Sequence, residues 1–416
     1  MATNPAYSMR LHFLAGLVAL FAASLAGRAA APAPGGDIVV SKAAGELPIR
    51  ISIAARPAEL GALANNAFNA HGRYQIDAGA VQFALSFTDA GAGRVRVDVR
   101  DRAGAAVLSE TVTGAGGDGT AARLNALYRA ADRAVKATSG LNGFFASRLA
   151  FVSTRGGKDD IYTGDIFCTY VNQVTTDRAD VPSLRWSPDG GRLIFTSYFK
   201  KNRPDIYLHD LASGRTDTFA SFSGTNIGAR FSPDGRQVVM VLTGEGRTEI
   251  YTSDAQNPSP RRLTSSDTVK SSPCWSPDGT RILFSGGTGP QLMLMSAAGG
   301  APQAIDLGGL SSYAAEPDWS RSNPDRIAFT VRSGKNYQVA VASFSDRNAK
   351  KIVSGKIPYA DAQEPVWLAD GRHLICTAKA ANVRLLYLVD TETGKATRLD
   401  QSGKFGESSR ADVLAP

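Results

Sequence analysis

The sequence predicts a mainly β protein, in which a small α+β domain precedes a six-bladed β-propeller. One observation behind this prediction is a repeated pentapeptide: WSPDG occurs at Trp186–Gly190 and Trp275–Gly279, and FSPDG lies between them at Phe231–Gly235. Another is an arginine that opens a short apolar segment and recurs at intervals of 44, 44, 45, 45 and 46 residues. These arginines are Arg148, Arg192, Arg236, Arg281, Arg326 and Arg372. A fixed period of this length indicates a repeat architecture with six copies of one unit.

Each repeat reads as four short strands joined by polar turns. In the second repeat the strand RLIFTS is followed by DIYLHD and then by GRTDTFA, and the stretch SLRWSP before the arginine gives the fourth strand. Four short strands in a unit of about 45 residues are typical of a propeller blade. We therefore assign residues 144–416 to the propeller.

The repeated SPDG is interpreted as a turn and not as a catalytic motif. Proline suits the second position of a type I turn because its φ is already near the required value, and serine and glycine suit the ends. The aromatic residue before the turn is expected to fill the space between neighbouring blades. These aromatic residues are Trp186, Phe231, Trp275, Trp319 and Trp367.

The last residues of the chain are predicted to close the ring. The first blade has no strand of the SLRWSP type directly before Arg148, and GESSRADVLAP stands where the next innermost strand is due. Pairing of this C-terminal segment with the first blade would remove two open sheet edges.

Residues 47–143 lack this repeat, and their pattern of strands and helices predicts the small α+β domain. PIRISI, VQFALSFT, RVRVDVR and AVLSETV read as strands. One helix is expected between Pro57 and Gly72, and a second is expected to end at Gly140. Its apolar face would contain Leu124, Leu127, Tyr128, Ala131 and Val135. The glycine-rich loop GAGGDG lacks the Gly-Lys-Ser/Thr ending of a phosphate loop and is interpreted as a plain turn.

Residues 1–30 are predicted to be a secretory signal peptide. Arg10 supplies a positive charge, Leu11–Gly27 supplies the apolar segment, and small residues follow. An uncleaved membrane anchor is the alternative, although the apolar segment is short for a bilayer span. Residues 31–46 are rich in glycine, proline and alanine and are interpreted as a flexible N-terminal segment.

The polar composition gives no sign of catalysis or of nucleic-acid binding. The net charge of +8 on 416 residues comes from scattered cations, whereas phosphate binding needs clustered ones. The four histidines are His12, His71, His209 and His373, and no pair of them has metal-ligand spacing. There is no G-x-S-x-G elbow. We therefore predict no catalytic residue, no metal and no cofactor.

The three cysteines are expected to be buried and inert. Cys168, Cys274 and Cys376 fall in different repeats, which argues against pairing, and an odd count leaves at least one thiol free.

The signal, the small α+β domain and the six blades together resemble the TolB family, the periplasmic component of the Tol–Pal envelope system. Blades of this type also occur in tricorn proteases and in the prolyl oligopeptidase and dipeptidyl peptidase groups. Those peptidases place an α/β-hydrolase domain after or around the propeller, so the domain order here favours TolB. The N-terminal domain is shorter than is usual in the family.

The resemblance implies a non-catalytic adaptor that lies in the periplasm, peripheral to the membrane. It would bind a Pal-like peptidoglycan-associated lipoprotein at the propeller channel and support envelope integrity, outer-membrane constriction during division and import of macromolecules. It also implies contact of the N-terminal segment with a TolA-like inner-membrane protein, in which IVV could add as an edge strand. The same segment could equally be an inert linker.

The loops that lead into the innermost strands are polar and varied, as recognition loops on rigid scaffolds commonly are. By position, the predicted partner contacts are Asp180, Asn226, Lys270, Tyr313, Glu316 and Gln363. Tyr313 is the strongest candidate because aromatic residues dominate binding energy at interfaces. Two alternatives stay open: solvated loops with no partner, and a secreted propeller that binds or hydrolyses a peptide or glycan.

Overall fold

The computed structural model describes residues 47–116, 119–200, 203–244, 246–345, 351–355, 357, 361–380 and 382–416. The predicted signal peptide (1–30) and N-terminal segment (31–46) lie outside the described residues.

The N-terminal domain is a five-stranded sheet with two helices. Its elements are β1 (Ile49–Arg56), α1 (Ala58–His71), β2 (Tyr74–Ile76), β3 (Phe83–Gly91), β4 (Arg94–Asp101), β5 (Ala106–Thr113) and α2 (Thr120–Ser139). The strand order is β2-β1-β3-β4-β5, and β1 runs parallel to both of its neighbours. The predicted elements are all present, and β2 is an addition to them.

Both helices cover one face of this sheet. In β4 the valines point to the helices and are buried, while the alternate residues are polar and more exposed. The predicted apolar face of α2 is buried in full. Each helix ends at a glycine in the left-handed region, Gly72 with φ +78° and Gly140 with φ +75°. Among the described residues, no helix combines the length and the apolar character needed to cross a bilayer.

The rest of the chain forms six four-stranded antiparallel sheets, as the repeat predicted. Blade 1 contains β6 (Arg148–Ser153), β7 (Asp160–Asp165) and β8 (Val171–Gln173) together with the last strand of the chain. Blade 2 contains β9 (Ser183–Trp186), β10 (Arg192–Ser197), β11 (Asp205–Asp210) and β12 (Thr216–Ala220). Blade 3 contains β13 (Asn226–Phe231), β14 (Gln237–Gly244), β15 (Arg247–Asp254) and β16 (Arg261–Arg262). Blade 4 contains β17 (Ser271–Trp275), β18 (Arg281–Gly286), β19 (Gln291–Ser296) and β20 (Gln303–Ala304). Blade 5 contains β21 (Ala314–Trp319), β22 (Arg326–Ser333), β23 (Asn336–Ser343) and β24 (Lys351–Ile352). Blade 6 contains β25 (Ala362–Trp367), β26 (His373–Ala380), β27 (Val383–Asp390) and β28 (Ala396–Arg398).

The final strand, β29 (Ser408–Leu414), closes the ring. It pairs antiparallel with β6, from Ser408 opposite Ser153 to Leu414 opposite Arg148. The strands β9, β13, β17, β21, β25 and β29 each contact the next around the channel, and β29 contacts β9. The predicted closure by the C-terminal segment is therefore confirmed.

The SPDG turns have the predicted architecture. In the first, the Gly190 N–H donates to the Ser187 carbonyl oxygen at 2.9 Å, and the Ser187 hydroxyl donates to the Asp189 carboxylate at 2.5 Å. Gly190 has φ +69°, a conformation that glycine adopts without steric cost. Equivalent bonds form in the turns of blades 3 and 4.

The repeated arginine and the repeated aromatic residue contact each other across neighbouring blades. The Arg148 guanidinium of blade 1 lies 4.5 Å from the centre of the Trp186 ring of blade 2, and Arg326 lies 5.1 Å from the Trp367 ring. Arg192 and Arg281 make the same contact with Phe231 and Trp319. Cation–π contacts of this kind stabilise by about 0.5–2 kcal/mol each.

The N-terminal domain packs on blades 1 and 6, on the side of the ring where the SPDG-type turns lie. The His373 ring nitrogen Nε2 lies 2.6 Å from the His71 carbonyl oxygen. On blade 1, the Tyr128 hydroxyl lies 3.3 Å from Thr169 Oγ1, and the Tyr128 ring packs against Phe167. The cores of the domain and of these two blades form one continuous hydrophobic cluster.

Candidate binding surface around the central channel

The channel has two mouths that differ in what surrounds them. We call the side of the SPDG-type turns, which carries the N-terminal domain, the turn mouth. We call the opposite side, where loops lead into the innermost strands, the loop mouth. A cavity of about 250 Å³ opens among the turns and the blade aromatics at the turn mouth. A second cavity, of about 80 Å³, lies among the innermost strands.

Six equivalent residues, each three positions before the blade aromatic or its equivalent, line this second cavity. This channel ring consists of Ser183, Gly228, Ser272, Glu316, Glu364 and Arg410. In all but Ser183 the residue has positive φ, and the strand register shifts there. Bulges of this kind bend the strand and re-aim its side chain. A non-glycine residue in this conformation costs about 1–3 kcal/mol, so it needs compensating contacts.

The acidic members of the channel ring supply such contacts between blades. A Glu316 carboxylate oxygen accepts hydrogen bonds from the Thr330 hydroxyl at 2.7 Å and from the Glu364 N–H at 3.1 Å. One strand further, a Glu364 oxygen accepts from the Thr377 hydroxyl at 2.8 Å and from the Arg410 N–H at 3.2 Å. Each glutamate therefore binds the backbone of the next innermost strand.

A second layer repeats this arrangement closer to the turn mouth. Asp318 accepts from the Trp367 N–H at 2.8 Å, and Asp412 accepts from the Trp186 N–H at 2.7 Å. Asp318 also forms an ion pair with Arg230 at 2.6 Å, across the channel from blade 5 to blade 3. The acids of the channel are thus part of the ring's own structure.

Glu316 makes the stability of the propeller dependent on pH. Burial and then the charge of Glu364 raise the pKa of Glu316 from 4.5 to about 7. Because the folded pKa is raised, this group contributes stability below pH 4.5, and that contribution is lost as the pH rises through 7. Glu316→Gln keeps an oxygen acceptor without the charge. At pH 8 we expect the free energy of unfolding of the variant, measured by urea denaturation, to exceed that of the wild type by on the order of 1–3 kcal/mol. At pH 4.5 we expect the two proteins to have the same free energy of unfolding.

The exposed Glu59→Gln is the control for this experiment and should not change the difference between the two pH values. Burial also raises the pKa of Asp132 to about 7, so Asp132 adds to the pH dependence of stability. Its contribution is the same in the wild type and in both variants, so it does not affect the difference between them. An equal effect of Glu316→Gln at both pH values would contradict the assignment.

The six sequence-predicted contacts occupy different environments. Asp180 is exposed in the loop that leads into blade 2, whereas Gln363, Glu316 and Tyr313 are half-buried. The Tyr313 ring packs 5.3 Å from the Tyr337 ring. Asn226 and Lys270 are buried. Contact of these residues with a partner stays a prediction, except that burial removes the last two side chains from the surface.

Asn226 and Lys270 instead hold loops of the loop mouth in place. Asn226 donates to the Phe222 carbonyl oxygen at 2.9 Å and accepts from the Phe222 N–H at 3.0 Å. The Lys270 ammonium lies 2.9 Å from the buried Glu249 carboxylate and donates to the Ser266 carbonyl oxygen at 2.8 Å. Direct contact by these two side chains is therefore corrected to a positioning role, because their polar atoms are already bonded inside the propeller.

The loops that they hold present apolar side chains, which the sequence reasoning missed. Phe222 and Val269 are 47% and 71% exposed at the tips of the loops that lead into blades 3 and 4. Tyr198 and Val383 are also exposed and lie in hairpins on the same side. Of the large exposed apolar residues described in the propeller, Tyr170 alone lies on the turn side. The sequence signal for these exposed residues is a single apolar residue within a polar loop, as in SFSG and DTVK.

One group among the described residues has ligand atoms close enough to hold a metal ion: His71, Asp370 and His373, whose atoms lie within 4.8 Å of one another. Sequence spacing could not reveal it because the histidines come from different domains. The second His373 nitrogen, Nδ1, lies 2.5 Å from the Asp370 carboxylate, so both of its ring nitrogens already have partners. Burial, together with the charge of His373, lowers the pKa of His71 to about 3. We describe the group as an interdomain contact.

The thiols and the remaining histidine also have structural environments. Cys274 and Cys376 are buried and Cys168 is half-buried, and all three are free. Burial raises the pKa of Cys274 and of Cys376 to about 12, so both stay protonated near neutral pH. His209 in β11 bonds Thr216 at 2.8 Å, as expected for a satisfied strand residue.

Comparison with known proteins agrees with this architecture. The PD40 family model, described as the TolB beta propeller domain, matches residues 135–411. A protein TolB homolog of Chlorobium chlorochromatii is 32% identical over 167 residues, which are 40% of this chain and 37% of the relative. The Tol-Pal system protein TolB of Bordetella pertussis is 29% identical over 209 residues, 49% of this chain and 48% of the relative. The matches thus span less than half the length of these curated relatives.

The structural similarity covers more of the chain than the sequence matches do. The crystal structure of TolB from Acinetobacter baumannii superposes with a TM-score of 0.76 at 22% identity, over 90% of this chain and 98% of that one. At this identity the likeness concerns the fold. Since the family model covers the whole ring up to the middle of β29, this chain belongs to the TolB β-propeller family.

Proposed function

We propose that this protein is a non-catalytic periplasmic adaptor of the Tol–Pal system, which binds a Pal-like peptidoglycan-associated lipoprotein at the loop mouth. The observation that carries the proposal is the set of exposed apolar side chains, Phe222 and Val269 among them, on the side opposite the N-terminal domain. Loops on a rigid scaffold commonly carry recognition, and apolar residues that they expose are candidates for contact with a partner. The name of the Bordetella pertussis relative supports the assignment to the Tol–Pal system.

The environment of the polar residues favours binding over catalysis. The channel carboxylates accept backbone N–H groups of neighbouring strands, which fixes their orientation. The buried thiols are protonated, and the ring nitrogens of His373 are bonded. A general base or nucleophile needs a free, suitably placed group.

The remaining parts of the proposal follow the family. The signal peptide would direct the chain to the periplasm, and the segment 31–46 would contact a TolA-like inner-membrane protein. In this position the adaptor would support envelope integrity, constriction of the outer membrane during division and import of macromolecules.

The test is calorimetric titration of the mature chain with the soluble domain of the same organism's Pal-like lipoprotein. We expect saturable binding, and we expect Phe222→Ala combined with Val269→Ala to weaken it at least about tenfold, because apolar anchors carry much of the binding energy. The melting temperature should stay unchanged, since both side chains are exposed.

Tyr170→Ala is the matched control: Tyr170 is 48% exposed, nearly the same as Phe222, but lies on the turn side. It should bind as the wild type does. No binding at tens of micromolar would overturn the Tol–Pal assignment. Turnover of peptide or glycan substrates in the same preparation would instead favour the alternative of a secreted processing propeller.

A further inference from the structure

The loop mouth has an uneven distribution of charge. On this side, a hairpin joins the second and third strands of each blade. In blades 1, 2, 5 and 6 these hairpins and the residues next to them carry exposed cations. The cations are Arg155, Lys158, Lys200, Arg332, Lys335 and Lys379. Blades 5, 6, 1 and 2 are consecutive in the closed ring, so these side chains form one continuous strip, which we call the cationic arc.

The cations of the arc form no direct ion pair with a carboxylate of the described residues. None of the six takes part in a salt bridge there, whereas other arginines of this mouth do. Arg384 pairs with Glu407 at 2.7 Å, Arg247 pairs with Asp267, and Arg203 pairs with Asp205 at 3.6 Å. Arg155 lies over the Phe405 ring and Lys200 over the Phe199 ring. All six side chains of the arc are exposed, so their charges face solvent at the rim of the loop mouth.

The opposite part of the loop mouth presents exposed apolar side chains beside the Arg247–Asp267 ion pair. Phe222 and Val269 belong to the loops that lead into blades 3 and 4, and the hairpin at residues 287–290 of blade 4, GTGP, has no charged residue. Among the described residues, the exposed aspartates on this mouth are Asp177 and Asp180, in the loop that leads into blade 2, Asp306, and Asp267, which is paired with Arg247. Their negative charges are too few to balance the positive charges of the cationic arc.

We propose that the partner bound at the loop mouth is a folded protein domain with an acidic surface, which faces the cationic arc, and an adjoining apolar patch, which covers Phe222 and Val269. This inference rests on the proposed function and adds the orientation and the chemistry of the partner. The arc steers the acidic side towards blades 5, 6, 1 and 2 before contact, and the apolar loops then hold the complex. Complementary charge at a rim mainly raises the association rate, while buried apolar anchors mainly slow dissociation.

The experiment is stopped-flow association with the soluble Pal-like domain over a range of salt concentrations. We expect the association rate constant to fall as salt rises, because the Debye length shrinks from about 30 Å at 0.01 M to about 10 Å at 0.1 M. Replacing Lys158, Lys200, Lys335 and Lys379 by glutamate should lower it about 10–100-fold at low salt. The dissociation rate should change far less, and Phe222→Ala should show the reverse pattern.

A charge-matched control separates the arc from net charge. Arg50, Arg94, Arg102 and Arg236 are exposed on the N-terminal domain or at the turn mouth. Their replacement by glutamate changes the net charge by the same amount and should leave the association rate within about threefold of the wild type. The inference is wrong if the Pal-like domain binds but the arc and control substitutions change the association rate constant equally. It is also wrong if neither set of substitutions nor salt changes this rate constant. In both cases the adaptor function stands.

Absence of any binding by the Pal-like domain would instead defeat the proposed function. A fluorescein-labelled polyglutamate peptide then tests the arc without that partner. It should bind the wild type and the control variant more tightly than the arc variant at low salt, and equal binding to all three would overturn the arc. Soluble peptidoglycan fragments that bind the wild type and not the arc variant would reassign the arc to an anionic glycan, against a protein partner.

Discussion

A chain that ends at Glu407 is expected to fail to form a stable closed propeller. The deletion removes β29, and with it the ladder to β6 and the Asp412 carboxylate that accepts the Trp186 N–H. It also leaves the inner edge of β6 unpaired, and an open sheet edge invites association with other chains. The loss is expected to be comparable with the whole free energy of unfolding of a domain, about 5–15 kcal/mol. Size-exclusion chromatography and thermal denaturation followed by circular dichroism measure it.

A chain that ends at Leu414 is the control for this deletion. It keeps every residue of β29 and removes only the exposed Ala415 and Pro416. We expect a monodisperse protein that melts within about 2 °C of the wild type, since surface changes are usually within about 0.5 kcal/mol. A cooperative, wild-type melting curve for the chain that ends at Glu407 would show that closure does not depend on β29.

Replacing Gly72 by alanine is expected to be the most damaging of the glycine substitutions at the helix ends. Gly72 and Gly140 end the two helices with nearly the same φ, so both alanine variants bear the cost of the left-handed conformation, about 1–2 kcal/mol. A Cβ at Gly140 would meet no atom within 4 Å, whereas at Gly72 it would lie 2.5 Å from an Asp390 carboxylate oxygen. Asp390 is buried and bonded to Arg372 at 2.8 Å, so it has little freedom to move.

We therefore expect Gly140→Ala to cost about 1 kcal/mol and Gly72→Ala about 3–5 kcal/mol, with partial separation of the N-terminal domain from blade 6. Differential scanning calorimetry would register the separation as a second transition at lower temperature. Limited proteolysis should cut the Gly72→Ala variant faster near residues 140–147, which connect the domains. Equal destabilisation by the two substitutions would contradict the packing at Asp390.

The propeller could be predicted because its information is local and repeated. The period of the arginine and the backbone preferences of SPDG define the blade, and the missing strand before Arg148 predicts the closure. The short strand β2 could not be predicted, since Tyr74–Ile76 is too brief to show alternation. Its place depends on pairing with β1, which lies outside its own sequence.

The candidate surface was predictable only in outline. The repeat shows where the loops into the innermost strands lie, but it does not show that Asn226 and Lys270 are buried, since polar loop residues are usually exposed. Their burial depends on partners about twenty residues away, such as Glu249 for Lys270. The His71–His373 contact joins residues 302 positions apart, and no local pattern encodes it.

The position of the N-terminal domain has a mechanical consequence. The domain is attached to both blades that border the closure, through Tyr128 on blade 1 and His71 on blade 6. A tension applied to the N-terminal end of the chain would thus be divided between the two sides of the junction of β29 with β6. The strands there would be loaded together as one unit, and the ladder would not be peeled open one hydrogen bond at a time.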